Sequence, residues 1–198
     1  MPNNVTDILV SAARVYYAPF GAALPADSVG VNVPWGTTWV EVGYTTAPCT
    51  LTYKYTDMDV SIQQELATVK RVKTAEELTL ETTLGEFSLS NLNIGIGGQY
   101  SRYVAASGQM GKEELLAGGY PVLTERAWGF EGFYVDETGI PYPLRVFIWK
   151  ATSILNGNLE FGKEKHSDIG LQVKALADMN RAVGQRLVKF QRIMEPSL

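Results

Sequence analysis

Asp57–Gly98 reads DMDVSIQQELATVKRVKTAEELTLETTLGEFSLSNLNIGIGG, and its patterning decides the fold. In the first part Val60, Ile62, Gln64 and Leu66 alternate with Asp59, Ser61, Gln63 and Glu65. In the second, Leu78, Leu80, Thr82 and Leu84 alternate with Thr79, Glu81 and Thr83. A period of two is the signature of strands with one dry and one wet face. The stretch therefore predicts two half-buried strands. A helix over Gly85–Ile96 follows, with Phe87, Leu92 and Ile96, and Leu89 alongside, as its apolar stripe. Gly95, Gly97 and Gly98 close that helix, because glycine reaches positive φ at little cost.

Working outward, the N-terminal side holds a strand around Ile8–Tyr17 and then a Gly/Pro/Ala-rich loop over about residues 20–36. Thr38–Tyr44 and Leu51–Met58 are rich in β-branched and aromatic residues and predict strands separated by Pro48. Beyond the helix, a polar, Gly-rich connection spans about residues 97–120, with a short helical turn expected at Lys112–Ala117. Val122–Tyr134 predicts a strand with Val122, Trp128 and Phe130 on one face. A turn at Asp136–Gly139 follows. Leu144–Ala151, LRVFIWKA, is apolar on both faces and predicts a central strand. Asn156-Gly157 marks a tight turn. Next come a strand Leu159–Lys163, a charged turn to Asp168, and a strand Ile169–Leu176 whose Ile169, Leu171, Val173 and Ala175 share a face. Gly184–Met194 fits either period, and strand is preferred. The expected fold is mainly β, an antiparallel sandwich or barrel with one flanking α-helix, and the 198 residues are expected to form a single domain.

Composition narrows the function. The chain is 45% hydrophobic and 19% charged, with 17 basic and 21 acidic residues for a net charge of −4. No basic block is present to grip nucleic acid by its phosphates. The single cysteine precludes an internal disulfide. No apolar run approaches the roughly 20 residues of a membrane helix, and the N-terminus lacks the features of a signal peptide. These readings predict a chain made in the cytosol that inserts into no membrane.

Each candidate for chemistry has a plainer explanation. His166, the only histidine, has no second His or Cys to complete a metal site and reads as a solvated turn residue. Cys49 beside Pro48 reads as a small half-buried residue rather than a nucleophile. In Ile94-Gly95-Ile96-Gly97-Gly98 the glycines close a helix, whereas a phosphate-binding loop opens one. Asp57-Met58-Asp59 lacks the third carboxylate of a cation loop and reads as a polar strand edge. No catalytic, cofactor-binding or metal-binding residue is assigned, no cofactor is implied, and an enzyme is not expected. Trp35, Trp39, Tyr44, Tyr53 and Tyr55 divide between core packing and a subunit contact, which aromatic residues favour. The Phe20–Pro34 loop carries one charge, Asp27, among several apolar residues. It is too apolar for a linker, so burial against a neighbouring subunit is the preferred reading.

The order DVSIQQEL, VKRVKTAEELTLETTL, GEFSLSNLNIGIGG, and later RVFIWKATSILNGNLEFGKEKHSDIGLQVKALAD, resembles the major tail tube proteins of long-tailed, siphovirus-like bacteriophages. About two-thirds of the chain is covered; the 20–34 and 99–120 segments depart most. The resemblance implies a fold related to type VI secretion tube proteins. It also implies a structural virion protein that assembles in the bacterial cytoplasm as stacked, commonly hexameric rings around a channel for the genome. The partners it implies are further copies of the chain, the tape measure, tail terminator and distal tail proteins, and viral DNA passing without specific binding. A polar sheet face suits an aqueous channel wall, and edge strands suit a ring interface. Net acidity suits a conduit that must not hold DNA. The alternatives are a single-ring tail terminator or adaptor, and a monomeric ligand-binding β-barrel with an apolar pocket.

Overall fold

The computed structural model describes residues 11–119, 122–164 and 166–194. Its described residues form ten strands and one helix: β1 (Arg14–Pro19), β2 (Val40–Glu41), β3 (Thr50–Val60), β4 (Lys70–Leu84), α1 (Leu89–Ile96), β5 (Gln99–Tyr103), β6 (Lys112–Leu116), β7 (Glu125–Val135), β8 (Pro141–Leu155), β9 (Ile169–Ala175) and β10 (Val188–Arg192). Every pairing between them is antiparallel. The main sheet runs β2-β1-β7-β8-β9-β4-β3, and β10 joins it beside β8.

β8 is the central strand, as its two apolar faces predict. β7 lies along one side of it, while the other side is shared by β10, against Leu144–Ile148, and β9, against Ala151–Leu155. β9 and β10 are thus one interrupted strand. The chain leaves β8 where Leu176 N donates to Lys150 O and returns where Leu187 O accepts from Trp149 N.

The sheet closes on itself. Residues 40–46 bond to β1 at their start, where Val42 N donates to Val15 O at 3.0 Å. At their end they bond to β4, through Thr46 N to Thr83 O at 2.9 Å and Gly85 N to Tyr44 O at 2.8 Å. This irregular stave resolves the expected sandwich or barrel in favour of a barrel. It explains how Val15 of β1, Leu80 of β4 and Val173 of β9 share one core with Trp128 and Ile148. On β4, Leu78, Leu80, Thr82 and Leu84 are all buried, as the alternation predicts.

α1 packs on β8 and β9. Ser88 caps it by accepting from Asn91 N, Asn91 Nδ2 donates to Val42 O, and Ser153 Oγ donates to Ile94 O. The helix starts later than predicted, and its buried residues are Asn91, Leu92, Ile94 and Gly95. Phe87 precedes it and is partly exposed, as is Ile96. The expected stripe was therefore displaced, because a helix held on several sides need not follow a single seam. Gly97, at φ 73°, ends it as predicted.

Other corrections concern turns and edges. The strand predicted at the start of the chain begins at Arg14, and residues 8–10 lie outside the described residues. The alternation over Asp59–Leu66 is not a strand of its own: β3 ends at Val60, and 61–69 turn back into β4. The pattern there is polar on one face and half-apolar on the other with nothing to bury it, so hairpin geometry prevails. Thr38–Tyr44 pairs over only two residues as β2. The helical turn expected at Lys112–Ala117 is instead strand over Lys112–Leu116, because β6 pairs β5 residue for residue from Gln99↔Leu116 to Tyr103↔Lys112. Val122 lies before β7 and is exposed. Leu159–Lys163 is irregular, the chain passing through 156–168 without strand pairing among its described residues. Gly184–Met194 contains β10, as preferred.

Candidate functional site

The distal part of the β3–β4 hairpin projects beyond the barrel. β9 pairs with β4 only over Thr79–Leu84, whereas β3 and β4 stay paired out to Val60↔Lys70. From Lys70 to Glu77 every β4 residue is exposed, and from Tyr53 to Asp59 so is every β3 residue. This arm therefore presents both its faces to solvent. Tyr53, Tyr55, Met58, Ile62, Val69 and Val72 are exposed along it, and Leu66 at the tip is fully exposed.

Local chemistry ties the two strands of the arm together across the register shift between Thr56 and Asp57. Lys73 Nζ donates to Tyr53 Oη at 2.6 Å and to Glu76 Oε1 at 2.9 Å, and lies over the Tyr53 and Tyr55 rings. Those two acceptors hold its ammonium above the ordinary lysine range. Arg71 Nε lies 2.6 Å from Asp59 Oδ1 and 3.2 Å from Asp57 Oδ2. Its bond to Asp59 holds that carboxyl below the usual range. Asp57 and Asp59 are thus satisfied by an arginine, in keeping with a polar strand edge. Two-stranded ribbons are marginal in water on their own, and exposed pairs of this kind contribute about 0–1 kcal/mol each. The arm thus combines a row of charged pairs with an uncovered set of apolar side chains, the kind of exposed surface that marks an interaction site.

The long loop over 20–36 is a strap on the outer face of the barrel. Trp35 and Trp39 are buried with Tyr16, Ala18, Ala127 and Phe147 beneath it, and Ala22, Leu24 and Val29 pack around them. Trp35 stacks on Tyr16 at 4.2 Å and meets Trp39 edge-on at 5.3 Å. Under the strap lies a buried ion pair, Arg145 Nε to Glu131 Oε2 at 2.7 Å, both side chains closed to solvent. Glu131 also accepts from Trp35 Nε1 and Asn32 N, and Arg145 donates to the carbonyls of Ala26 and Val29. Ordering backbone costs about 1–2 kcal/mol per residue, while a fully buried large side chain returns about 1.5–3 kcal/mol. A strap of this length therefore needs several anchors, and two tryptophans with a satisfied ion pair supply them. The sequence reading placed this loop against a neighbouring subunit; the structure seats its Ala22, Leu24, Val29 and Trp35 on the chain's own sheet and leaves most of its other residues exposed, Phe20 and Val33 among them. The overlooked signal was Arg145, a charge inside a strand that is apolar on both faces.

The residues considered for chemistry stay apart. His166 is exposed and pairs with Asp168, Nε2 to Oδ1 at 3.0 Å. Cys49 is half-buried against the barrel core, and burial pushes its thiol up to about 12. Among the described residues no cluster of three His, Cys, Asp or Glu is placed to hold a metal, and no helix is long and apolar enough to cross a membrane. Gly95, Gly97 and Gly98 lie at the far end of α1 from its free amides. The early aromatics divide cleanly: Trp35 and Trp39 are core, and Tyr44, Tyr53 and Tyr55 are exposed.

A search of curated proteins returns no match to the chain. The family model described as phage tail tube protein matches residues 1–190. The match spans nearly the whole chain, and the chain belongs to the phage tail tube protein family.

Proposed function

We propose that this protein polymerises as stacked rings, hexameric ones, into the tail tube of a long-tailed phage, and that the tube is the channel through which the genome enters the host. The observation that carries this reading is the β3–β4 arm, whose exposed apolar residues from Tyr53 to Val72 have no cover among the described residues. Burying them against further copies is the physical return for keeping them. The whole chain acts as one domain in this reading, without catalysis or cofactor. It assembles in the host cytoplasm, and its other partners are the tape measure, tail terminator and distal tail proteins.

The wet face of β4 and β9 is the channel wall of the proposal. Glu81 of β4 accepts from Gln172 of β9 across the pair, and Thr83 and Lys174 lie beside them. Such a mixed polar surface, on a chain of net charge −4, lets DNA pass without gathering its phosphates.

Negative-stain microscopy of the purified protein, concentrated in physiological salt, tests the reading. Regular tubes or stacked rings are expected. A particle that stays strictly monomeric at high concentration, also in the presence of tail-tip proteins that could initiate assembly, overturns it.

A further inference from the structure

The arm needs a counterpart, and the chain carries a groove of matching chemistry. It lies between the start of the strap and β10, with a volume of about 750 Å³. Leu24, Trp149, Val188 and Phe190 give it apolar patches within a mixed lining, and Arg181 and Lys189 are its charged side chains. None of the described residues lining it is acidic. Asp178 pairs with Arg181 itself, so Lys189 carries the net positive charge of the lining; Asp27 bonds Gln191 and Glu125 pairs Lys150.

The groove is built rather than incidental. Trp149 Nε1 donates to Gln185 O at 3.0 Å, and the Arg181 guanidinium lies 3.2 Å from the Trp149 ring centre. Asp178 N donates to Arg186 O, closing the 178–186 loop that carries Arg181. Phe190 nonetheless stands 61% exposed at its edge. Among the described residues β10 pairs with β8 alone, so its other edge is open.

We infer that this groove receives the tip of the arm from a second copy of the chain. The turn Ser61–Val69, SIQQELATV, supplies apolar Ile62, Leu66 and Val69, and its only charge is Glu65. A tip of apolar side chains with one negative charge, Glu65, complements a groove whose apolar side chains Trp149, Val188 and Phe190 stand beside one net positive charge, on Lys189. Leu66 is fully exposed, so the tip does not fill the groove of its own chain. The groove has the size of sites that hold a small ligand, roughly 300–1,000 Å³, room for a few side chains. Because tip and groove are different patches, the contact is head-to-tail and propagates from copy to copy. This inference rests on the self-assembly proposed above and names the surface that receives the arm.

Paired cysteines test it. In a Cys49→Ala background, Leu66→Cys and Phe190→Cys in one chain are expected to give a ladder of disulfide-linked oligomers when assembled protein is oxidised. Neither single variant should give more than dimers. Charge reversal adds a second readout. Glu65→Lys or Lys189→Glu alone should cut polymer yield roughly tenfold, since opposed like charges are costly, and the two together should restore most of it. Far-ultraviolet circular dichroism confirms folding of each variant. Tubes that form without the ladder, or single reversals that assemble normally, overturn the groove assignment and leave the self-assembly reading intact. Absence of polymer from the unmodified chain overturns both.

Discussion

At the scale of single residues, the pair Arg145–Glu131 carries the clearest energetic consequence. A buried ion pair is expensive to break, because the surviving charge keeps its desolvation cost and loses its partner, at about 3–5 kcal/mol. Glu131→Gln is therefore expected to lower unfolding stability by that amount in urea, with an unchanged slope. Replacing both residues by Leu and Met should cost far less, since no charge is then stranded. A loss below about 1 kcal/mol for Glu131→Gln would show that the pair does not hold the strap. Gly129 beneath Trp35 belongs to the same arrangement: a Cβ there would lie 2.6 Å from the indole.

Cys49 gives a pH signature of its own. Its thiol is raised from 9.0 to about 12 in the fold by burial. Between those values the folded chain keeps a proton that the unfolded chain has lost, so stability falls as pH rises. The contribution is complete below about pH 9 and disappears towards pH 12. The stability difference between the natural chain and Cys49→Ala should be flat below pH 9 and shift against the natural chain above it, as read by denaturant titrations at each pH. At pH 8 the folded protein should react with a disulfide reagent only as fast as it opens. Rapid labelling of folded protein would contradict the burial.

At the scale of elements, barrel and arm obey different accounts. The barrel half of β4 buries Leu78, Leu80 and Leu84 completely, whereas its outer half buries nothing. Replacing Met58–Val72 by a two-residue Asn-Gly turn should consequently leave the core and its cooperative unfolding within about 1 kcal/mol of the natural chain, the usual range for changes that touch no core residue. The same variant should not polymerise. Circular dichroism melts and sedimentation velocity measure the two effects separately. A shortened chain that unfolds, or that still assembles, would refute this division of labour. The hairpin β5–β6 shows how such elements escape a pattern-based reading. Gly-rich flanks and a KEELLA run suggest a helical turn, yet residue-by-residue pairing with Gln99–Tyr103 makes it strand.

At the scale of the whole molecule, the chain is a structural protein of the phage tail, a member of the tail tube family. Much of this was legible from residue order. The alternation through Leu78–Leu84, the two apolar faces of β8, the shared face of Ile169, Leu171 and Val173 and the glycine stop after α1 are local signals, and each is present in the fold. Local patterning could determine them because period and turn chemistry act over a few residues. Where the 20–36 loop rests, which early aromatics are exposed, and how 40–46 closes the barrel involve partners far apart in sequence, such as Asn32 with Glu131 and Thr46 with Thr83. The proposed groove is of the same kind, since Leu24, Trp149 and Phe190 meet only when β8 and β10 are already paired. The sequence by itself determined the barrel half of β4, the strands β8 and β9 and the helix with its glycine stop, but not β5 and β6 or the irregular run at 159–163. Only the tertiary structure decided which apolar residues the barrel consumes and which it leaves on the arm, because burial depends on what lies opposite a side chain, and no periodicity encodes that.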